Sequence, residues 1–126
     1  MTQLKKILHI DDDSMMRMMV QKSIERSQKG FEIISCTTAS EFLENLSIFT
    51  PDLLIIDIAM PVVDGPTLLE KARETGNTTP AIFMTGHENP DLKNREKLDP
   101  IIGILQKPFS PLSLGDDLLK LWDTKK

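Results

Sequence analysis

The sequence predicts an α/β fold, a parallel sheet flanked by helices. Two patterns carry this expectation. Five short apolar runs recur along the chain: Ile7–Ile10, Phe31–Cys36, Leu53–Ile56, Ala81–Met84 and Ile101–Leu105. Each is rich in Ile, Leu or Phe without a polar residue at every second position, as suits strands covered on both faces. Between them lie longer segments with helical spacing of apolar residues, and strict alternation of strand and helix points to right-handed crossovers around a parallel sheet.

The helices follow in order. Ser14 is the expected cap of the first, which carries Met15, Met18, Met19 and Ile24 on neighbouring turns, and Gly30 follows where a C-terminal glycine belongs. Methionines at this spacing read as adaptable core filling. Ser40 begins the second helix, with Phe42, Leu43 and Leu46 apolar and Glu41 and Glu44 polar. Pro51 opens the approach to the third strand. The third helix follows Gly65 and Pro66, sets Leu68, Leu69 and Ala72 on one face and stops before Gly76. The fourth, Asp91 to Leu98, is short, charged and poorly amphipathic. The fifth runs from about Pro111 to Trp122, with Leu114, Leu118 and Leu121 at core spacing and Leu112, Leu119 and Trp122 off that stripe. Such an extra apolar edge either marks a partner site or packs the last turn.

A chain of 126 residues is enough for one domain with a core that needs no staples. Residues 1–126 are therefore read as a single domain, and the last helix ends so near Lys126 that no output domain is expected. A net charge of −4 opposes non-specific nucleic-acid binding and adhesion to anionic membranes. Cys36 is the sole cysteine, so no internal disulfide can form, and its apolar run assigns it to packing. Nothing at the start reads as a signal peptide, and no run reaches the roughly 18 apolar residues of a spanning helix. The expected location is the cytoplasm.

Ligands of open α/β sheets bind at the carboxyl ends of the strands. The first run is followed by Asp11, Asp12 and Asp13, the third by Asp57, the fourth by Thr85 and Gly86, and the fifth by Gln106, Lys107 and Pro108. The fold would thus gather carboxylates, a hydroxyl and an ammonium on one edge. Clustered carboxylates repel one another unless a cation sits among them, and an oxygen-rich site suits Mg²⁺. A divalent cation, a lysine and a hydroxyl are what phosphoryl transfer needs, and a carboxylate can itself be the nucleophile. His9, in a strand, and His87, beyond Thr85, have no second ligand at zinc spacing. No P-loop, dinucleotide fingerprint or nucleophile elbow is present.

The set Ile10-Asp11-Asp12-Asp13-Ser14, Ile56-Asp57-Ile58-Ala59-Met60-Pro61 through Asp64-Gly65, Met84-Thr85-Gly86 and Lys107-Pro108-Phe109 resembles the response-regulator receiver family of two-component signalling. The four elements occur in order and cover nearly the whole chain. The resemblance implies a flavodoxin-like (β/α)5 fold with five helices and strand order 2-1-3-4-5. It implies that Asp57 accepts a phosphoryl group from a phosphohistidine of a sensor kinase or a histidine phosphotransfer protein. Asp11, Asp12, Asp57 and the backbone carbonyl of Ala59 would hold Mg²⁺. Thr85 would be the switch hydroxyl and Lys107 the phosphoryl contact, with a cis bond before Pro108. Asp13 has no family role and is read as a loop or capping carboxylate, and Asp64-Gly65 as a turn.

The chain departs from the family pattern where it bears on switching. Ile104 stands where the family often has an aromatic residue, which puts the usual coupling of Thr85 to the surface in doubt. Ala59 and His87 are expected to set the lifetime of the acyl phosphate, with moderate to slow self-dephosphorylation. The chain would not be a conventional enzyme, only a catalyst of its own phosphotransfer. The resemblance implies an unidentified downstream protein target and a monomer or a phosphorylation-dependent dimer, while the acidic charge and the expected lack of an output domain lead to the expectation of no direct DNA binding and no membrane. The family's usual output face includes the fourth helix, here bearing Lys93, Arg95, Glu96 and Lys97. An enzyme of the haloacid-dehalogenase type would want a second aspartate where Ala59 stands. A receiver-like adaptor that signals without phosphorylation is the alternative, and the complete acid, threonine and lysine set argues against it.

Overall fold

A computed structural model describes residues 3–86 and 92–125. Five strands, β1 (Lys6–Ile10), β2 (Glu32–Cys36), β3 (Leu53–Asp57), β4 (Ala81–Thr85) and β5 (Ile101–Gln106), form one sheet in the order β2-β1-β3-β4-β5. Every pairing is parallel, with Ile7 opposite Leu53, Leu54 opposite Ala81 and Thr85 opposite Gln106. Strand count, direction and order agree with expectation. Among the described residues, four α-helices cover the sheet: α1 (Ser14–Arg26), α2 (Ala39–Ile48), α3 (Gly65–Glu74) and α4 (Leu114–Thr124).

Successive side chains of a strand point to opposite faces, so each central strand feeds two cores. Leu8, Ile10, Leu54, Ile56, Ala81 and Phe83 pack with Phe42 of α2 and Leu68, Leu69 and Ala72 of α3. Ile7, Leu53, Ile55, Ile82 and Met84 pack with Val20 and Ile24 of α1 and Leu114, Leu118 and Trp122 of α4. β3 and β4 are buried along their whole length, which is why their sequences show no polar alternation. Cys36 is buried in the first of these cores, and its thiol is pushed up to about 12, chiefly by burial. It is a packing residue.

The helices differ from expectation in five places. Only a 3-10 turn, Arg95–Lys97, is found among the described residues of the expected fourth helix, whose first residue, Asp91, lies outside them. Asn94, at φ 54, sits in the left-handed region and interrupts a helical path, and the charged segment has no apolar stripe to bury in compensation. The expected fifth helix is α4. It starts at Leu114, because Pro111 to Ser113 form the preceding turn, and it runs on to Thr124. Asp13, not Ser14, caps α1, its carboxylate accepting from the amides of Met15 and Met16. Its Oδ is a stronger acceptor than a hydroxyl. Thr38 caps α2, which therefore opens at Ala39 rather than Ser40. Finally, Met15 and Met18 are not core filling, being 69% and 55% exposed. The inward stripe of α1 is Met16, Val20, Ser23 and Ile24, complete without them.

Trp122 is buried in the α1–α4 core and Leu119 packs against it, so most of the extra apolar edge of α4 serves packing; Leu112, in the turn before the helix, stays exposed. No helix among the described residues is long and apolar enough to cross a membrane.

Candidate functional site

The carboxyl edge of the sheet gathers the residues singled out from the sequence. Asp57 ends β3 and is buried; Asp11 directly follows β1 and is fully buried; Asp12, next to it, is exposed. Thr85 ends β4 and is buried, and Lys107 follows β5. One carboxylate oxygen from each of Asp11, Asp12 and Asp57 lies within 4.8 Å of the others. Lys107 Nζ donates to Asp57 Oδ1 at 3.0 Å and to Asp11 Oδ2 at 3.1 Å. The Lys107 amide donates to the Thr85 carbonyl at 2.7 Å, which fixes where the lysine leaves the sheet. The Lys107–Pro108 bond is cis, as is Asp99–Pro100.

Among the described residues, three carboxylates face one ammonium. Burial pushes the Asp57 carboxyl above the usual range; the hydrogen bond from Lys107 opposes this, and Asp11 and Asp12 add to it. Burial alone would lower Lys107, but the bond to Asp57 and the charge of Asp11 more than offset it and raise the ammonium. Lys107 therefore stays charged while the pocket still carries excess negative charge. A divalent cation with oxygen preference fits this donor set, three carboxylate oxygens close enough to share one ion.

Ile58 to Asp64 carry the chain from Asp57 over the edge to α3. The Ile58 amide donates to the Met84 carbonyl at 3.0 Å, and the Gly65 amide returns to the Ile58 carbonyl at 2.9 Å. Gly65 is required by contact rather than by backbone angle. A Cβ there would run into the Asp57 carbonyl and lie 2.9 Å from Ile56 Cγ2. Gly65→Ala is expected to cost about 1–3 kcal/mol by overpacking and to displace the Asp57 turn, as urea unfolding with the amide spectrum of residues 56–60 would show. Asp64 caps α3 by accepting from the Thr67 amide.

Ala59 is exposed in this loop, two residues beyond Asp57. Ile104 is half-buried on β5 and packs against the α2–α3 core, away from the acidic edge. His87 lies outside the described residues. Beside Asp12 an apolar cleft of about 250 Å³ opens between Ile10, Thr38, Met60 and Val63. A larger hollow of about 870 Å³ lies at the other end of the strands, near Leu4, Pro51 and Pro80, and contains none of these residues.

Arg17 escaped the sequence reading, and His9 entered it only as a residue with no second zinc ligand. Arg17 Nη1 donates to the Asp11 carbonyl at 2.8 Å. Long helical side chains lean back toward the helix start, so a cation one turn after a capping aspartate was the available signal. His9 is buried with Nδ1 hydrogen-bonded to Ser35 Oγ at 3.0 Å, and Nε2 has no partner among the described residues.

Residues 7–118 match the family model described as response regulator receiver domain. The chain belongs to the response-regulator receiver family. Among solved structures, this receiver superposes on the chemotaxis protein CheY4 of Vibrio cholerae with a TM-score of 0.81 and 27% identity, over 94% of this chain and 99% of that one. It is 28% identical over 114 residues to the alkaline phosphatase synthesis transcriptional regulatory protein PhoP of Bacillus subtilis, covering 85% of the receiver and 44% of the relative. It is 33% identical over 103 residues to the DNA-binding transcriptional regulator NtrC of Klebsiella pneumoniae, covering 79% of the receiver and 21% of the relative. The receiver thus spans less than half the length of these curated relatives.

Proposed function

We propose that this receiver, residues 1–126 as a single unit, is a phosphorylation-dependent signalling switch in which Asp57 accepts a phosphoryl group. The single observation that carries the reading is the meeting of Asp11, Asp12 and Asp57 with Lys107 at one strand edge, with Lys107 Nζ bonded to two of the three acids. The donor is a phosphohistidine of a sensor kinase or a histidine phosphotransfer protein. An Asp57 carboxylate oxygen attacks phosphorus, the phosphorus–nitrogen bond breaks, and the bonding pair stays with the departing imidazole, which takes a proton from water. Lys107 moves its hydrogen bonds from the free carboxylate to the phosphoryl oxygens and so follows the charge. Thr85, at the end of the neighbouring strand, supplies a hydroxyl to the same group. Mg²⁺, held by Asp11, Asp12, Asp57 and the Ala59 carbonyl, would neutralise the approaching oxyanion.

A bulky phosphodonor must come down on the carboxyl edge. Met15, Val62 and Leu112, all exposed, stand on three segments that border that edge and offer apolar contact. Output follows from the moved Thr85 and Lys107, and the downstream partner is a protein. Ile104 has no ring to turn inward, so the surface response is a repacking of β5 on the α2–α3 core.

The test is incubation of the purified chain with a small phosphodonor and Mg²⁺. One phosphoryl group, base-labile and mapped to Asp57, is expected, together with amide shifts around Thr85 and Ile104. An unmodified Asp57 would sink the proposal and leave a phosphorylation-independent adaptor. The lifetime has its own prediction. Ala59 offers no side chain to orient an attacking water, so Ala59→Asn is expected to shorten the half-life of the acyl phosphate several-fold, read as decay of labelled phosphate. An unchanged decay would assign the lifetime elsewhere.

A further inference from the structure

We propose that Arg17 is a positioning residue for the acidic pair, anchoring the peptide plane between Asp11 and Asp12 so that both carboxylates face Asp57. The inference rests on the phosphoryl-acceptor reading and assigns a part to a residue outside the acid, threonine and lysine set.

The turn from β1 into α1 takes only Asp11, Asp12 and Asp13. Within it the Asp13 amide donates to Asp11 Oδ1 at 2.9 Å, and Asp13 Oδ1 accepts from the Met15 amide at 2.9 Å. These bonds are local and hold side chains to their own loop. Among the described residues, two bonds tie the Asp11 backbone to other elements. The Asp11 amide reaches the Cys36 carbonyl at 3.3 Å, and Arg17 Nη1 grips the Asp11 carbonyl at 2.8 Å. That carbonyl belongs to the rigid peptide unit joining Asp11 to Asp12, so its direction sets the relation between the two side chains. Arg17 is half-buried on α1, and its own amide donates to the Asp13 carbonyl at 3.0 Å. Helix and loop are thus locked from both ends of one residue. A guanidinium suits the task, since its bond to a carbonyl is charge-assisted and its planar fork is preorganised.

The positive charge of Arg17 works against a cation at the same site. Removing it would tighten cation binding if charge were its only influence, whereas losing the anchor would weaken binding, so the sign of the change separates the two. Mg²⁺ titration of the full chain by calorimetry, on wild type, Arg17→Met and Arg17→Lys, reads that sign. Hydrogen exchange of the Asp13 amide in metal-free protein reads the loop directly.

Arg17→Met is expected to bind Mg²⁺ more weakly, on the order of tenfold, and to lose protection at Asp13 while circular dichroism stays native. Arg17→Lys, which keeps a charged donor, should recover part of both. Unchanged Asp13 protection in a folded Arg17→Met chain, with equal or tighter Mg²⁺ binding, overturns the proposal. Should Arg17→Met fail to fold, the shorter Arg17→Gln is read by the same two measurements against the same outcomes. A wild-type chain that bound no Mg²⁺ would undo the functional reading, and Asp13 exchange would still decide the role of Arg17.

Discussion

Lys107→Met is expected to destabilise the receiver by about 3 kcal/mol, while Asp57→Asn leaves it at least as stable as wild type and ends phosphoryl uptake altogether. The asymmetry follows from the charge count at the carboxyl edge. Among the described residues Lys107 is the one cation whose hydrogen bonds span Asp11 and Asp57, and Asp11 is fully buried. Removing the cation from a buried pair leaves uncompensated charge and costs more than the pair was worth. Removing Asp57 does the opposite. Its carboxyl is held above the usual range by burial and by its acidic neighbours, so the folded state gains when that charge goes, and Lys107 keeps Asp11. Urea unfolding in the presence of a chelator measures both variants on one scale. Added Mg²⁺ should restore part of the loss in Lys107→Met, because an ion that binds only the folded state stabilises it by mass action. Equal destabilisation of the two variants would mean that the edge is a balanced ion pair and not a site poised for a cation.

Much of this edge was legible in the sequence because a parallel sheet converts order along the chain into proximity. Each of Asp11, Asp57, Thr85 and Lys107 stands at the end of an apolar run or just beyond it. Once those runs are parallel neighbours, the residues converge with no further information. The α1 surface was harder. Apolar character alone made Met15 and Met18 look internal, but a stripe needs only one residue per turn, and Met16, Val20 and Ile24 already fill it. The expected fourth helix failed on local backbone: Asn94 takes a left-handed conformation there, and composition does not reveal that. The contacts of Arg17 and His9 were not foreseen because they depend on where a side chain ends. For Arg17 that is the Asp11 carbonyl, for His9 it is Ser35, and both contacts are made only after the strands and α1 have assembled.

His9 should make the receiver acid-sensitive in a way its carboxylates do not. Burial, then the charges of Lys107 and Arg17, lower the imidazole from 6.5 to about 3. In the fold, protonation would add a cation that Lys107 and Arg17 repel, with Nε2 lacking an acceptor among the described residues. In the unfolded chain the same ring titrates at its ordinary value. A group depressed on folding contributes stability that is complete above the unfolded pKa and is lost as pH falls toward the folded one. The window therefore runs from pH 6.5 down to about 3. At about 1.4 kcal/mol per unit, about 2 kcal/mol is gone by roughly pH 5, a large share of a small domain's stability. Asp57 acts with the opposite sign: its raised carboxyl takes up a proton more readily in the fold, which offsets part of the loss. The comparison that isolates His9 is His9→Leu, an apolar side chain for a buried strand position. The variant is expected to lie within about 1 kcal/mol of wild type at neutral pH, since it forgoes one hydrogen bond to Ser35. Between pH 6.5 and 4 its unfolding free energy should run nearly flat, apart from the carboxylates, while that of wild type falls. Parallel curves for the two proteins would show that the buried imidazole is not what makes the fold yield to acid.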